Sequence, residues 1–350
     1  AIVAPFAKGP VNLPTLVENE QDLLDNFGEP SSTDKHYEHW MVASSYLAYG
    51  GVLRVVRADD DDMKNGFAGS AANVKINSLN DYNDKGYDTS VVTGVTVAAR
   101  NPGSWSNGIK VAIIDSKSDQ ILGGVDTASP DGKAAIQVGY GVTQTMVGKV
   151  ISGAGSTSAA DGYLKGIVTE VDATTLGVKV LSHVSAGGTE TNVDYQPSGI
   201  YSFDGTGTVA IHTAGQAVAY ASTTNTTQQD WFDQQSIVLT NSTINWNNIA
   251  DRPGTSSFAA ARSSRFDEVH VVVIDDLGTV TGNAGTVLEK HLSLSKAKDS
   301  EFSVGAPSYW RKYLATNSTQ VFGGGAPAGL TTSSYSSGFT QATDNGWDQD

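Results

Sequence analysis

Apolar residues recur at helical spacing near the start of the chain. Leu23 and Phe27 mark one stripe, which Gly28 ends, because glycine readily takes the left-handed conformation that follows many helices. Thr15 and Glu18 have the spacing of a capping box, so we predict that the first helix begins close to them.

A second helix is predicted over residues 36–49, where Tyr37, Trp40 and Met41 open an apolar pattern at the same spacing. A pair of glycines ends this helix. The β-branched run at residues 52–57 then predicts a strand. The opening of the chain therefore combines helices and strands, as an α/β-type unit does.

Polar and apolar runs define the next segments. An acidic run at residues 59–62 opens a stretch rich in Gly and Asn up to about residue 90, which we expect to be a connector. Strands are predicted at residues 91–99 and 109–115. The uninterrupted apolar run at residues 270–274 is typical of a strand that is buried on both faces.

Residues 133–211 show a different pattern, in which short apolar runs alternate with Gly, Ser and Asp. This pattern predicts a small antiparallel barrel or sandwich, inserted between the flanking segments. Outside it we predict helices at residues 286–296 and 309–314, a short helix around residues 230–232, and a flexible loop over residues 323–338.

Together these elements predict a β-rich α+β protein of several domains, with a discontinuous α/β-type core domain and inserted β-sandwich or barrel domains. The predicted division is a discontinuous inner domain (1–58 together with 285–350), a connector (59–90), a middle α+β domain (91–132 together with 212–284) and an outer inserted domain (133–211).

Composition narrows the range of functions. Of the 350 residues 39% are hydrophobic and 17% charged, which is enough apolar material for several cores. The net charge of −15 repels phosphate backbones, so we expect no direct contact with nucleic acid. The absence of cysteine excludes disulfides and Cys-ligated metals, and the absence of an 18-residue apolar run argues against membrane insertion.

Motifs of serine hydrolases, zinc proteases and phosphate loops are absent from the sequence. His36 and His39 lie three residues apart on the second predicted helix, but nothing locates the further ligands that a metal site needs. Residues 141–149 miss the phosphate-loop spacing by one position. Residues 205–210 match a loose dinucleotide pattern but lead into an apolar run, so no helix N-terminus would meet a pyrophosphate.

Acidic residues could bind a cation or act in acid–base chemistry. The stretch from Asp81 places Lys85 where a calcium loop needs an oxygen ligand, so we interpret it as a polar loop. Residues 59–62 are interpreted as a solvated acidic loop, and Asp275 with Asp276 as turn or capping residues. We therefore predict no catalytic, cofactor-binding or metal-binding residue, no cofactor and no enzymatic activity.

Three segments, taken in order, resemble the contractile tail sheath proteins of T4-like bacteriophages. The first joins a Gly-Pro pair at residues 9–10, F-G-E-P at 27–30, L-A-Y-G at 47–50 and L-R-V-V-R-A at 53–58. The second is the A-A-R-N-P-G-S-W-S-N turn at residues 98–107 with the strand that follows it.

The third segment runs from residues 249–256 through 267–273 to 287–290 and is similar to the same proteins. Residues 133–211 carry no motif of this family and resemble a decorating domain on the outside of a sheath. From the resemblance we expect the N-terminal arm and the C-terminal domain of the family to be missing here. We therefore expect a fragment that is monomeric on its own.

The resemblance implies a structural protein of the virion. Such subunits assemble in the host cytoplasm as stacked hexameric rings around a tail tube, in contact with a baseplate. On contraction they drive the tube through the host envelope, which leads to genome ejection and viral entry. Because the subunits stay folded while their contacts change, the stored free energy lies in the interfaces.

Other classes of function stay open. A β-rich host-attachment or carbohydrate-binding module would suit the inserted domain, with Tyr195 and Tyr201 either stacking on sugars or packing against the barrel wall. A hydrolase on an α/β core would depend on Asp275 and Asp276. The sheath of a bacterial injection machine without a phage head is a close relative of the main interpretation.

Overall fold

The structure is a computed structural model. It describes residues 1–30, 36–88, 94–115, 118–124, 127–128, 135–146, 162–193, 195, 201–203, 209–213, 216–220, 231–325 and 335–338.

Helices and strands are numbered in chain order. The helices are α1 (Glu20–Phe27), α2 (His36–Ala48), α3 (Leu79–Asp84), α4 (Ser257–Ala260) and α5 (Trp310–Asn317). The strands are β1 (Ile2–Ala4), β2 (Thr15–Val17), β3 (Leu53–Arg57), β4 (Phe67–Gly69), β5 (Val95–Ala99), β6 (Ile109–Asp115), β7 (Gln120–Gly123), β8 (Gly141–Thr145), β9 (Tyr163–Val171), β10 (Thr175–Val184), β11 (Glu190–Asn192), β12 (Val209–Thr213), β13 (Gln216–Tyr220), β14 (Ser236–Val238), β15 (Thr243–Asn245), β16 (Glu268–Asp275), β17 (Thr286–Ser295), β18 (Glu301–Ser303), β19 (Ala306–Pro307), β20 (Val321–Gly323) and β21 (Tyr335–Gly338).

The first unit of the fold is a small sheet that packs against α1 and α2. Strand β3 lies at its centre, parallel to β1 and antiparallel to β2. The core between sheet and helices is built mainly from large apolar side chains, among them Leu23, Phe27, Trp40, Leu47 and Val55.

The predicted start of α1 is wrong. Thr15–Val17 forms β2, and Thr15 pairs with Val55 of β3, so its backbone belongs to a sheet. The residue that caps α1 is Asn19, whose Oδ1 accepts a hydrogen bond of 2.9 Å from the N–H of Asp22. The cross-strand pairing therefore overrides the capping-box spacing in the sequence.

Two antiparallel sheets form the middle of the molecule, one in the order β17–β16–β6–β21 and the other in the order β20–β5–β4. Successive residues of β16 enter different cores. Val273 packs in one core with Trp310, and Ile274 packs in another with Trp246. This confirms the prediction that residues 270–274 are a strand buried on both faces.

The helix predicted over residues 286–296 is wrong, because this stretch is strand β17. It pairs antiparallel with β16, and the register shifts twice, between Val269 and Val271 and between Val273 and Ile274. Such irregularities break the period-two alternation by which a strand is recognised in sequence. The helix predicted at residues 309–314 is confirmed as α5.

The stretch predicted as a connector, residues 59–90, holds β4 and α3. Strand β4 pairs with β5. Tyr82 of α3 stacks on Phe322, with ring centres 4.4 Å apart, and its hydroxyl donates a hydrogen bond of 2.6 Å to the carbonyl of Gly323. Residues of this stretch therefore form part of a hydrophobic core, in addition to connecting the segments on either side of it.

The inserted segment forms a seven-stranded antiparallel sheet among the described residues, in the order β11–β10–β9–β8–β12–β13, with β7 also paired to β10. Its core is lined by side chains that alternate along the strands, such as Val142, Leu164 and Val178, and by Phe203 from outside the strands. The sheet takes in strands on either side of residues 133–211.

The fold class predicted from sequence is confirmed, since the chain is a strand-rich α+β protein with several separate sheets. The loop predicted over residues 323–338 is wrong at both ends, where β20 and β21 join sheets. Strand β17 pairs with β16, and strand β20 pairs with β5. The strands of residues 1–58 pair with one another in a separate sheet. The division into domains stays a prediction.

Candidate self-assembly surface

Helix α2 carries apolar residues on both of its faces. On the inner face Trp40, Ala43 and Leu47 pack into the core of the first unit. Trp40 Nε1 also donates a hydrogen bond of 2.9 Å to the carbonyl oxygen of Gly28, which fixes α2 against the end of α1. A helix that is buried on one side needs a single apolar stripe, so the opposite face requires another explanation.

The outer face of α2 and the turn after it expose large apolar side chains. We call these residues the α2 face: Tyr37, Met41, Val42, Tyr46 and Tyr49. Tyr49 is 93% exposed and Val42 63% exposed. Scattered apolar residues are normal on a protein surface, but a group at neighbouring helical positions marks a surface for interaction.

The sheet beside α2 adds a second uncovered face. Val3 pairs with Val56 and Leu16 pairs with Arg54, so these four side chains lie on the side opposite the helices. Val3 and Leu16 are exposed. In the part of the chain that the structure describes, β1 and β2 each have β3 as their one strand partner, so their outer edges can pair with a strand from another chain.

The buried side chain of Arg57 joins the first unit to the middle of the molecule. Its Nη1 donates to the carbonyl oxygens of Pro102 at 2.7 Å and Gly9 at 3.0 Å, and its Nη2 donates to that of Ala7 at 3.4 Å. Burial lowers the pKa of Arg57 to about 9, against the opposing effect of Asp59. The guanidinium therefore stays charged at neutral pH and holds three segments together.

The turn after Pro102 is shaped for this contact. Gly103 has a φ of 129°, and a Cβ at this position would lie 2.7 Å from the carbonyl oxygen of Ala7. The ammonium of Lys8 lies 4.7 Å from the centre of the Trp105 ring, in a cation–π arrangement. The backbone of the first unit thus approaches the turn more closely than a side chain at residue 103 would permit.

The paired carboxylates at the end of β16, Asp275 and Asp276, hold loops by hydrogen bonds. Asp275 Oδ2 accepts hydrogen bonds from the N–H of Val280 at 3.0 Å, and from the N–H and hydroxyl of Thr281 at 2.7 and 2.9 Å. Asp276 accepts from the N–H and hydroxyl of Thr240 at 2.7 and 3.0 Å. These contacts confirm the interpretation of both residues as turn residues.

The other acidic candidates are also engaged in local contacts. Asp81 lies in α3, and its Oδ2 accepts hydrogen bonds from the N–H of Asn77 at 2.8 Å and the ammonium of Lys85 at 2.9 Å. Asp59 forms an ion pair of 2.8 Å with Lys75. Within the described ranges, no group of three or more His, Cys, Asp or Glu side chains is arranged to hold a metal ion.

The remaining residues singled out from the sequence do not come together in one site. Tyr195 is buried in the core of the inserted sheet and Tyr201 packs against it, which confirms the packing interpretation of both rings. His39 is half-buried on α2. Residues 147–149 and 205–208, parts of the two loop-like stretches, lie outside the described residues.

Sequence reasoning missed the α2 face. The spacing predicts one stripe that contains Tyr37, Trp40 and Met41, yet Trp40 is buried whereas Tyr37 is 44% and Met41 51% exposed. The available signal was the number of apolar positions between residues 37 and 49, which is too large for one stripe.

No helix among the described residues is long and apolar enough to cross a membrane. No protein-family model matches the chain. A stretch of 74 residues, 21% of the chain, is 38% identical to the tail sheath protein of Enterobacteria phage T4 and covers 11% of that protein's length. Over about a fifth of its length, then, the chain is similar to a phage tail sheath protein.

Proposed function

We propose that this chain is a structural subunit of a contractile phage tail sheath. In this proposal copies of the chain assemble as stacked hexameric rings around a tail tube and contract to drive the tube through the host envelope. The α2 face is the observation that carries the proposal, since it is an apolar surface that the described residues leave uncovered. The partial similarity to a tail sheath protein supports the same assignment.

The physical basis of assembly would be burial of this surface between copies. Covering a half-exposed large apolar side chain contributes roughly 1 kcal/mol, so the five residues of the α2 face would together offset a useful part of the cost of association. The open edges of β1 and β2 would add backbone hydrogen bonds to a neighbouring copy. Many such contacts, repeated along a tail, would make a stable tube from individually weak interfaces.

Contraction would require contacts to exchange while each subunit stays folded. The contacts of Arg57 serve this requirement, because this residue of β3 bonds both to Ala7 and Gly9 in the first unit and to Pro102 in the turn between β5 and β6. Movement of one surface would then be passed to the rest of the subunit as a rigid body.

We further propose that the other partners are the tail tube and the baseplate, that assembly takes place in the host cytoplasm, and that the chain performs no catalysis and uses no cofactor. The inserted sheet would form an outer domain. In dilute solution this chain on its own would remain a monomer, since each interface between copies is weak by itself.

The test replaces one residue of the α2 face in the protein as it is made in infected cells. Val42→Glu places a charge in the proposed interface, where an unpaired carboxylate costs several kcal/mol. Val138→Glu is the matched control, because Val138 is 58% exposed but lies next to β8 of the inserted sheet. Sheathed tails counted by electron microscopy should be lost with Val42→Glu and kept with Val138→Glu.

Two further measurements make the outcome decisive. Analytical ultracentrifugation and thermal unfolding of the purified chains should show folded monomers for the wild type and both variants. Normal numbers of sheathed tails with Val42→Glu, or equal losses with both variants, would count against assembly through the α2 face.

A further inference from the structure

The inserted sheet carries a cavity of about 640 Å³ on strands β8, β9 and β12. Its walls include Thr143, Thr145, Tyr163, Lys165, Ala210 and His212. All six are at least partly exposed, whereas their neighbours along each strand point into the core, as in Val142, Leu164 and Ile211. The cavity therefore lies on the outer face of the sheet.

Strand register explains why these residues meet. Thr143 of β8 pairs with Lys165 of β9 and with Ala210 of β12, which forms one row across three strands. Thr145 pairs with Tyr163 in a neighbouring row. Small side chains thus lie in the middle of the face, and larger ones lie at its sides.

The polar groups of the cavity favour an uncharged ligand. The hydroxyl of Thr143 and Nε2 of His212 share a hydrogen bond of 2.8 Å, which holds both side chains in place, while the Thr143 hydroxyl and Nδ1 of His212 can each bond another partner. The ammonium of Lys165 is 2.9 Å from the carboxylate of Glu190, which compensates its charge. A strongly anionic or cationic ligand would therefore gain little electrostatic attraction from these groups.

The remaining feature is an exposed aromatic ring. Tyr163 is 40% exposed, lines the cavity and pairs with Thr145 across the two strands. An aromatic face beside fixed hydroxyl and imidazole groups suits a flat ligand that is apolar on its faces and rich in hydroxyl groups at its edges. The pyranose ring of a neutral sugar has this character.

We propose that this cavity binds a neutral saccharide of the kind found on bacterial surfaces, with the sugar ring against Tyr163 and its hydroxyls on Thr143, Thr145 and His212. The site is separate from the α2 face and does not rest on the proposed sheath function.

The test applies the purified chain to an array of neutral and anionic bacterial glycans, followed by calorimetric titration with the neutral glycan that binds best. Tyr163→Ala should weaken binding by about tenfold or more, whereas Tyr163→Phe should bind like the wild type. Thr143→Val keeps the shape of the side chain and should weaken binding through loss of the hydroxyl. Phe302→Ala is the matched control, since it removes an exposed aromatic ring of β18, and it should leave affinity unchanged.

Thermal unfolding would establish that each variant is folded. No binding of the wild type to any neutral glycan at millimolar concentration would overturn the proposal. So would binding limited to anionic glycans, or binding that neither Tyr163→Ala nor Thr143→Val weakens.

Discussion

The Nη1 atom of Arg57 lies 2.7 Å from the carbonyl oxygen of Pro102, although 45 residues separate them in the chain. Arg57 belongs to the L-R-V-V-R-A segment, and Pro102 belongs to the N-P-G turn. The same guanidinium group binds Gly9 of the Gly-Pro pair. Three of the sequence elements that resemble tail sheath proteins thus meet at one buried cation.

This contact predicts a large loss of stability for Arg57→Met. The variant would leave the carbonyl oxygens of Ala7, Gly9 and Pro102 without their donor, and each buried unpaired group costs about 1–3 kcal/mol. We expect urea unfolding to show a decrease of about 3–5 kcal/mol. Arg54→Met, on the exposed side of the same strand, should change stability by less than about 0.5 kcal/mol. Similar losses for both variants would contradict this role of Arg57.

Gly103→Ala should also weaken the contact between the first unit and the turn. The added Cβ would lie 2.7 Å from the carbonyl oxygen of Ala7, and the φ of 129° is strained for alanine, so we expect a loss of about 3 kcal/mol. Gly139→Ala separates the effect of the strained φ from the effect of the steric clash, because Gly139 has a φ of 94° but nothing lies within 4 Å of its added Cβ. Its loss in thermal or urea unfolding should be smaller, at about 1–2 kcal/mol.

Glu289 should make stability depend on acid pH. Burial alone would raise its pKa, but hydrogen bonds from His291, Ser318 and Thr319 prevail and lower the pKa to about 2. The carboxylate therefore contributes stability that is present above its ordinary pKa of 4.5 and is lost as pH falls towards 2.

The variant Glu289→Gln should be less stable than the wild type by about 2–3 kcal/mol at neutral pH, and this difference should shrink at about pH 2.5. Urea unfolding at the two pH values measures it. Glu301→Gln, which changes an exposed carboxylate of β18, is the control and should have little effect at either pH. A difference for Glu289→Gln that is the same at both pH values would show that its charge is not the cause.

Lys179 should make stability depend on alkaline pH. Burial in β10 lowers its pKa to about 7, opposed by Asp119, and its ammonium lies 3.8 Å from the centre of the Phe266 ring. Between pH 7 and 10.5 the unfolded chain then binds more protons than the folded one, so the free energy of unfolding rises with pH.

Lys179→Met should remove this rise. Relative to the variant, the wild type should gain up to a few kcal/mol between about pH 7 and pH 9.5, because each pKa unit corresponds to about 1.4 kcal/mol. Lys165→Met replaces a partly exposed lysine of the adjacent strand and should show the same pH dependence of stability as the wild type. Parallel pH profiles for the wild type and Lys179→Met in urea unfolding would refute the prediction.

Elements with a clear period were predictable from the sequence. The apolar run in Glu268–Asp275 and the spacing in His36–Ala48 gave the correct element types, since one buried strand and one long helix dominate their windows. Thr286–Ser295 was predicted as a helix because two register shifts obscure its strand period. Here pairing with β16, a contact distant in the chain, decides the structure.

The α2 face was harder to predict from the sequence. Spacing alone placed Trp40 and Met41 together, because apolar side chains on a helix do not reveal which of them a partner will cover. The loops of the third resembling segment depend on similar long-range contacts, such as the carboxylate of Asp267, which accepts hydrogen bonds of 2.8 and 2.7 Å from the N–H and hydroxyl of Ser256. Burial and tertiary hydrogen bonds are properties of the folded chain and leave little trace in local sequence.

The most direct measurement of the proposed role is the position of this chain on a phage particle. Gold-labelled antibodies raised against the purified chain should decorate contractile tails along their whole length, in rows that move closer together when the tail contracts. Label confined to fibres, baseplate or capsid, or absent from intact particles, would contradict the assignment of this chain as a sheath subunit.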